Sequence, residues 1–110
     1  MKLSKDTNIL IVGLGLLGGS YAEALTNAGY TVNAVTKEQA SVDLALKKGI
    51  IKYGTTKLEE SIISAADLVI FALYPHVFTD WIEKNQHLLK SGAVITDVTG
   101  VKGCIVYKIQ

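Results

Sequence analysis

The 110-residue sequence predicts an α/β domain: an open, doubly wound, mostly parallel sheet with helices on both faces. Three observations predict it. Short apolar, β-branched runs alternate with stretches of helical periodicity, as strands covered on both faces alternate with crossover helices. Glycines stand where two of those helices should stop, at Gly29 and Gly49. The first apolar run passes straight into Gly13-Leu14-Gly15-Leu16-Leu17-Gly18 and then into a helical pattern.

In chain order, Asn8-Ile9-Leu10-Ile11-Val12 has the unbroken hydrophobicity of a buried parallel strand. Residues 16–28 read as a helix capped by Gly29, and 31–35 as the second strand. Residues 37–48 form the next helix, closed by Gly49. Residues 50–53 read as a short strand, 58–65 as a short helix, and Leu68-Val69-Ile70-Phe71-Ala72 as a buried strand. Residues 77–89 carry an amphipathic helical pattern with Trp81, Ile82 and Leu88 on its apolar face. Residues 93–96 supply a fifth strand, and 102–110 are expected to begin a further helix. Crossovers between parallel strands are right-handed almost without exception, so ligand sites are expected at the carboxyl ends of the strands.

The bulk properties narrow the function classes. The length suits one domain, residues 1–110, and the abrupt ending suggests a longer protein. About half of the residues are apolar (49%), which excludes a disordered chain. The net charge is +1 with acids and bases interspersed, so neither nucleic acid nor an anionic membrane is an expected partner. No metal site is expected. The single cysteine, Cys104, excludes an intrachain disulfide and reads as a small buried hydrophobe in a reducing compartment. Lys2 and Lys5 before an apolar run superficially suggest a signal peptide. Asp6 interrupts the basic segment, four glycines break the run, and Glu23 lies where a small-residue cleavage site belongs. A cytoplasmic protein is expected.

The glycine turn carries the chemistry. Gly13 permits a tight exit from the strand, Gly15 lets the backbone approach a diphosphate, and Gly18 lets the helix lie close on the strand, with Gly19 and Ala22 extending that small face. Unpaired amides and a partial positive charge at the helix start attract the diphosphate. With Leu16 and Leu17 completing the turn, this is a Rossmann-type dinucleotide site for NADP or NAD. A purely structural turn is the alternative, and three glycines make it a poor one, since each weakens a helix. Ser20 either adds a hydroxyl near the phosphates or caps the helix.

A site for NAD normally ends its second strand with an acid that binds the ribose 2′-hydroxyl. Here Val35 is followed by Thr36 and Lys37, a hydroxyl and a cation suited to the 2′-phosphate of NADP, so NADP is favoured. The alternative leaves Lys37 solvated at a helix start and has Glu38 reach the ribose. The loop after the fourth strand, Leu73-Tyr74-Pro75, should lie over the cofactor, with Pro75 stiffening the turn. His76 beside it is a surface or helix-start residue more readily than a general base, and His87 lies on a charged stretch. Thr96-Asp97-Val98-Thr99-Gly100 follows the fifth strand, where the nicotinamide should sit. Asp97 either serves that site or caps the loop and pairs with Lys102.

Gly13-Leu14-Gly15-Leu16-Leu17-Gly18-Gly19-Ser20 resembles the opening of the prephenate and arogenate dehydrogenases of tyrosine biosynthesis. So do Ala66-Asp67-Leu68-Val69-Ile70 before a proline-bearing loop, and Thr96-Asp97-Val98 followed by Val101-Lys102. The resemblance implies oxidative decarboxylation of prephenate or arogenate, the small-molecule partner, with hydride passing to the nicotinamide. It also implies a homodimer formed through a helical domain beyond Gln110, where the family's catalytic histidine and carboxylate-binding arginine would lie. The segment alone is then expected to bind cofactor without turnover. Two positions depart from the family. Gly100 stands where it commonly has serine, leaving Thr99 as the nearest candidate for a catalytic hydroxyl, and Thr36 replaces the acid. A β-hydroxyacid or pyrroline-carboxylate type of reductase, or a redox-sensing NAD(P)H module, remain alternatives on the same fold.

Overall fold

A computed structural model of the chain describes residues 6–14, 16–73, 75–97 and 106–108. Strand β1 (Asn8–Val12) leads through the glycine turn to α1 (Leu16–Asn27), and β2 (Thr31–Val35) to α2 (Gln39–Lys48). Then come β3 (Tyr53–Thr55), α3 (Glu60–Ala65), β4 (Leu68–Phe71), α4 (Pro75–Asn85) with a 3₁₀ turn at Gln86–Leu88, β5 (Val94–Asp97) and β6 (Val106–Lys108). The strands form one six-stranded sheet in the order β3-β2-β1-β4-β5-β6. The first five are parallel and β6 is antiparallel to β5. The order reverses between β1 and β4, and a crevice at the carboxyl end of such a reversal is where doubly wound sheets bind ligands.

Burial explains the apolar runs. Ile9, Leu10, Ile11 and Val12 are all buried, because β1 has neighbours on both edges and helices on both faces. Ile9 and Ile11 join Ala22, Val32, Ala34, Ala45 and Ile70 beneath α1 and α2. Leu10 and Val12 join Ile63, Val69, Phe71, Leu89 and Ile95 beneath α3 and α4. Successive strand residues face opposite ways, so each strand feeds both layers. Trp81, Ile82 and Leu88 pack on the second layer, as expected from their spacing. At Gly29 the backbone turns left-handed with φ of 97°, and Gly29 and Tyr30 donate to the carbonyls of Thr26 and Leu25, a paired bond pattern that closes α1. Gly49, with φ of 71°, closes α2 in the same way.

Four expectations need correction. Within the stretch 102–110, expected to begin a helix, the described residues Val106–Lys108 are a strand, with Val94 opposite Lys108 and Thr96 opposite Val106. The open edge of β5 offers backbone partners that a helix there would leave unpaired. The third strand is Tyr53–Thr55 rather than 50–53. Ile51 is buried in the α1–α2 layer and Ile50 packs partly buried against it, so their hydrophobicity marks helix packing rather than sheet pairing. Helix α2 starts at Gln39, with Glu38 as its N-cap residue, which leaves Lys37 in the loop before it. Pro75 does not stiffen a loop but opens α4, where a residue without an N–H is harmless.

Candidate functional site

The crevice is assembled from the carboxyl ends of β1, β2 and β4. At the β1 exit Gly13 has φ of +96° and donates its N–H to the Val35 carbonyl at 2.8 Å. A Cβ on Gly13 would stand 2.7 Å from the Ala72 carbonyl oxygen and 3.1 Å from Leu73 Cδ2. Conformation and space therefore both demand glycine. On α1, a Cβ on Gly18 would stand 2.0 Å from the Gly13 carbonyl oxygen and 3.2 Å from Ala72 Cβ. The first turn of α1 thus lies directly on the strand exit. That turn contains no acidic residue, so no side-chain charge offsets the positive end of the helix.

Gly19 does not share this role. Its Cβ would meet nothing within 4 Å, so the expected small face is made by Gly18 and the buried Ala22. Gly19 lies one residue, about 100° around the helix, from Gly18 and points away from the sheet.

At the β2 exit the Thr36 N–H donates to the Thr55 carbonyl at 3.1 Å, which holds Thr36 beside β3. Thr36 is partly buried and Lys37 exposed. At the β4 exit the Ala72 N–H donates to the Val12 carbonyl at 2.9 Å, and Leu73 packs partly buried on the second layer. Phe71, fully buried beneath this exit, meets Phe78 and Trp81 edge to face, with ring centroids 4.8 and 5.0 Å away. These contacts anchor α4 under the crevice. His76 is exposed on the first turn of α4. Thr96 and Asp97 continue β5 opposite Ile70 and Phe71. Gly15, Tyr74, Val98, Thr99, Gly100, Val101, Lys102 and Cys104 lie outside the described residues.

Two arrangements were not anticipated. At the amino edge of the sheet, away from the crevice, the Asp67 carboxylate accepts the Asn8 N–H at 2.8 Å and pairs with the Lys90 ammonium. The bond from Lys90, then the bond from Asn8, holds this carboxyl below its usual range. Asp67, noticed in the sequence only as part of a string, is a clamp between β1, β4 and the loop before β5. At the outer carboxyl edge, Tyr53 Oη donates to Glu59 at 2.9 and 3.2 Å. Bonds from Thr55 and Tyr53 lower the Glu59 carboxyl, and the same carboxylate raises the Tyr53 phenol. Residues six apart on either side of a strand end show no periodicity that would announce them. Among the described residues no three His, Cys, Asp or Glu side chains gather as a metal ion would require, and no helix is long and apolar enough to cross a membrane.

Residues 21–110 match the family described as prephenate dehydrogenase, nucleotide-binding domain. The chain belongs to that family. The family is one of dehydrogenases, and the glycine turn precedes the matched segment, so the resemblance at residues 13–20 is a separate sign of the same kinship. The domain is similar to Aquifex aeolicus prephenate dehydrogenase, solved in complex with hydroxyphenyl propionate and NAD+. The TM-score is 0.77 and the identity 30%, covering 87% of this chain and 34% of that one. Synechocystis arogenate dehydrogenase gives a TM-score of 0.76 at 24% identity, over 83% of this chain and 32% of that one. A 3-hydroxyisobutyrate dehydrogenase from Mycobacterium tuberculosis shares the fold, with a TM-score of 0.73 at 21% identity, over 83% of this chain and 31% of that one. The family domain therefore spans about a third of the length of each of these three structures.

Proposed function

We propose that this domain binds NADP in preference to NAD, for a dehydrogenase that oxidatively decarboxylates prephenate or arogenate. The observation that carries the reading is the contact between Gly18 and the Gly13 carbonyl, which presses the acid-free start of α1 onto the strand exit at the sheet's switch point. The residues present fit a dinucleotide. Gly13, its own N–H spent on the Val35 carbonyl, would shape the turn, and the amides of Gly15, Leu16, Leu17 and Gly18 would hold the diphosphate. Thr36 and Lys37 would hold the adenosine ribose and its 2′-phosphate, and Leu73, Tyr74 and Pro75 would cover it. Gly100 would let the chain pass close to the nicotinamide end, with Thr99 beside it offering a hydroxyl. Bound there, the nicotinamide supplies a hydride acceptor. Loss of a hydride from the ring carbon bearing the hydroxyl, followed by departure of CO₂, makes the substrate ring aromatic.

This reading assigns polarisation of the ring hydroxyl and capture of the substrate carboxylate to the part of such an enzyme that this domain does not span. It assigns dimerisation to that part also, and the location to the cytoplasm. Calorimetric titration of the domain with NADPH and NADH tests the binding half. Assay of an enzyme containing the domain, with prephenate and arogenate, each with NADP and NAD, tests the rest. No rise at 340 nm in any of the four combinations refutes the activity. Turnover of a hydroxyacid instead would favour the second reading, which the 3-hydroxyisobutyrate dehydrogenase fold match keeps in view.

A further inference from the structure

The ends of β2 and β3 form a ledge with a chemistry of its own. Parallel pairing sets Val35 opposite Thr55. The bond from the Thr36 N–H to the Thr55 carbonyl carries that alignment past the end of β2. The two segments then leave the sheet side by side with the same pair of residue types, Thr36-Lys37 and Thr56-Lys57. Both lysines are exposed, and each is the second residue beyond its strand. Lys57 is held at this place by its backbone, since its N–H donates to Thr55 Oγ1 at 3.1 Å in a tight turn.

The nearby acids offset this charge only in part. Glu59 is engaged by Thr55 and the Tyr53 hydroxyl, and more weakly by the charge of Lys57. Glu38, exposed and one residue after Lys37, is the N-cap residue of α2 and makes no side-chain cap bond, so it too offsets part of the charge. A phosphate monoester carries close to two negative charges at neutral pH, and a single exposed lysine gains little from it against solvent screening. Two lysines rooted on adjacent strand ends would share that charge, each ordering only its own side chain.

We infer that Lys57 is a specificity-determining residue, a second cation that shares the adenosine 2′-phosphate with Lys37 across the ends of β2 and β3. The inference deepens the NADP reading above and rests on it. The test uses two probes that differ in the relevant group, 2′,5′-ADP and 5′-ADP, each competed against NADPH fluorescence on the 110-residue chain at fixed ionic strength. Lys57→Ala should weaken 2′,5′-ADP about fivefold to tenfold, as loss of one charge-assisted phosphate contact does, and 5′-ADP less than about twofold. Lys57→Arg should restore the preference, and Glu59→Gln should strengthen 2′,5′-ADP binding by removing a competing negative charge from beside Lys57. If Lys37→Ala abolishes the preference for 2′,5′-ADP while Lys57→Ala leaves it intact, the inference falls and the NADP reading survives. If the unsubstituted chain binds both probes equally, both fall.

Discussion

Adjacent glycines on α1 should respond in opposite directions to the same methyl group. In Gly18→Ala the new Cβ would lie 2.0 Å from the Gly13 carbonyl oxygen, whereas real Cβ atoms essentially never approach closer than 3.0 Å. The obstacle is backbone and no rotamer relieves it, so the first turn of α1 must move on the order of 1 Å from the strand exit. Overpacking of this kind costs about 3 kcal/mol at the upper end of its usual range, and alanine returns about 1 kcal/mol through helix propensity. The net loss is about 2 kcal/mol, or a Tm lower by roughly 8 °C in a domain of this size. Gly19→Ala meets nothing within 4 Å and keeps only the propensity gain. It should raise stability by about 0.5–1 kcal/mol. Urea and thermal unfolding followed by far-UV circular dichroism, with Trp81 fluorescence as a second probe, measure both. A Gly18→Ala variant that melts with or above the parent, or a Gly19→Ala variant that falls as far, would refute the packing argument.

Lys37→Glu should weaken NADPH binding more than NADH binding in calorimetry, and equal losses would defeat the proposed NADP preference. Gly15→Val should abolish binding of both dinucleotides while circular dichroism shows an unchanged fold. Phe71→Ala should destabilise the domain by about 3–5 kcal/mol, seen as a sharp drop in the urea midpoint, because a fully buried ring and two edge-to-face partners are lost together. The Asp67 carboxyl sits below its usual range, held there by Lys90 and the Asn8 N–H. Its contribution is therefore complete above the ordinary carboxylate pKa of about 3.9 and disappears as pH falls through the lower folded value. Asp67→Asn should cost about 0.5–1 kcal/mol at neutral pH, discounted for partial exposure, and flatten the acid limb of the stability curve.

The elements that the sequence announced best are those whose pattern and burial have one cause. Ile9 to Val12 and Val69 to Phe71 are buried on both faces, so their hydrophobicity is continuous and reads directly as parallel strand. Gly29 and Gly49 end helices because a left-handed residue is needed there, a local requirement written into a single position. The misreadings arose where hydrophobicity had a second cause. Ile50 and Ile51 are apolar to cover helices, and residues 106–108 became a strand because β5 had an edge to satisfy.

The same division holds for the site. Sequence alone settled that the domain is doubly wound, that a glycine turn follows its first strand, and that its second strand ends without an acid. Each is a matter of residue type at a position along the chain. Tertiary structure decided which glycine is indispensable: Gly18 and Gly19 are equivalent as letters and differ only because a helix turns about 100° per residue, setting one against the Gly13 carbonyl and the other toward open space. It decided also that Lys57, twenty positions after Lys37, stands on the next strand end, because neighbours in a parallel sheet are chosen by pairing between chain segments rather than by distance along the chain.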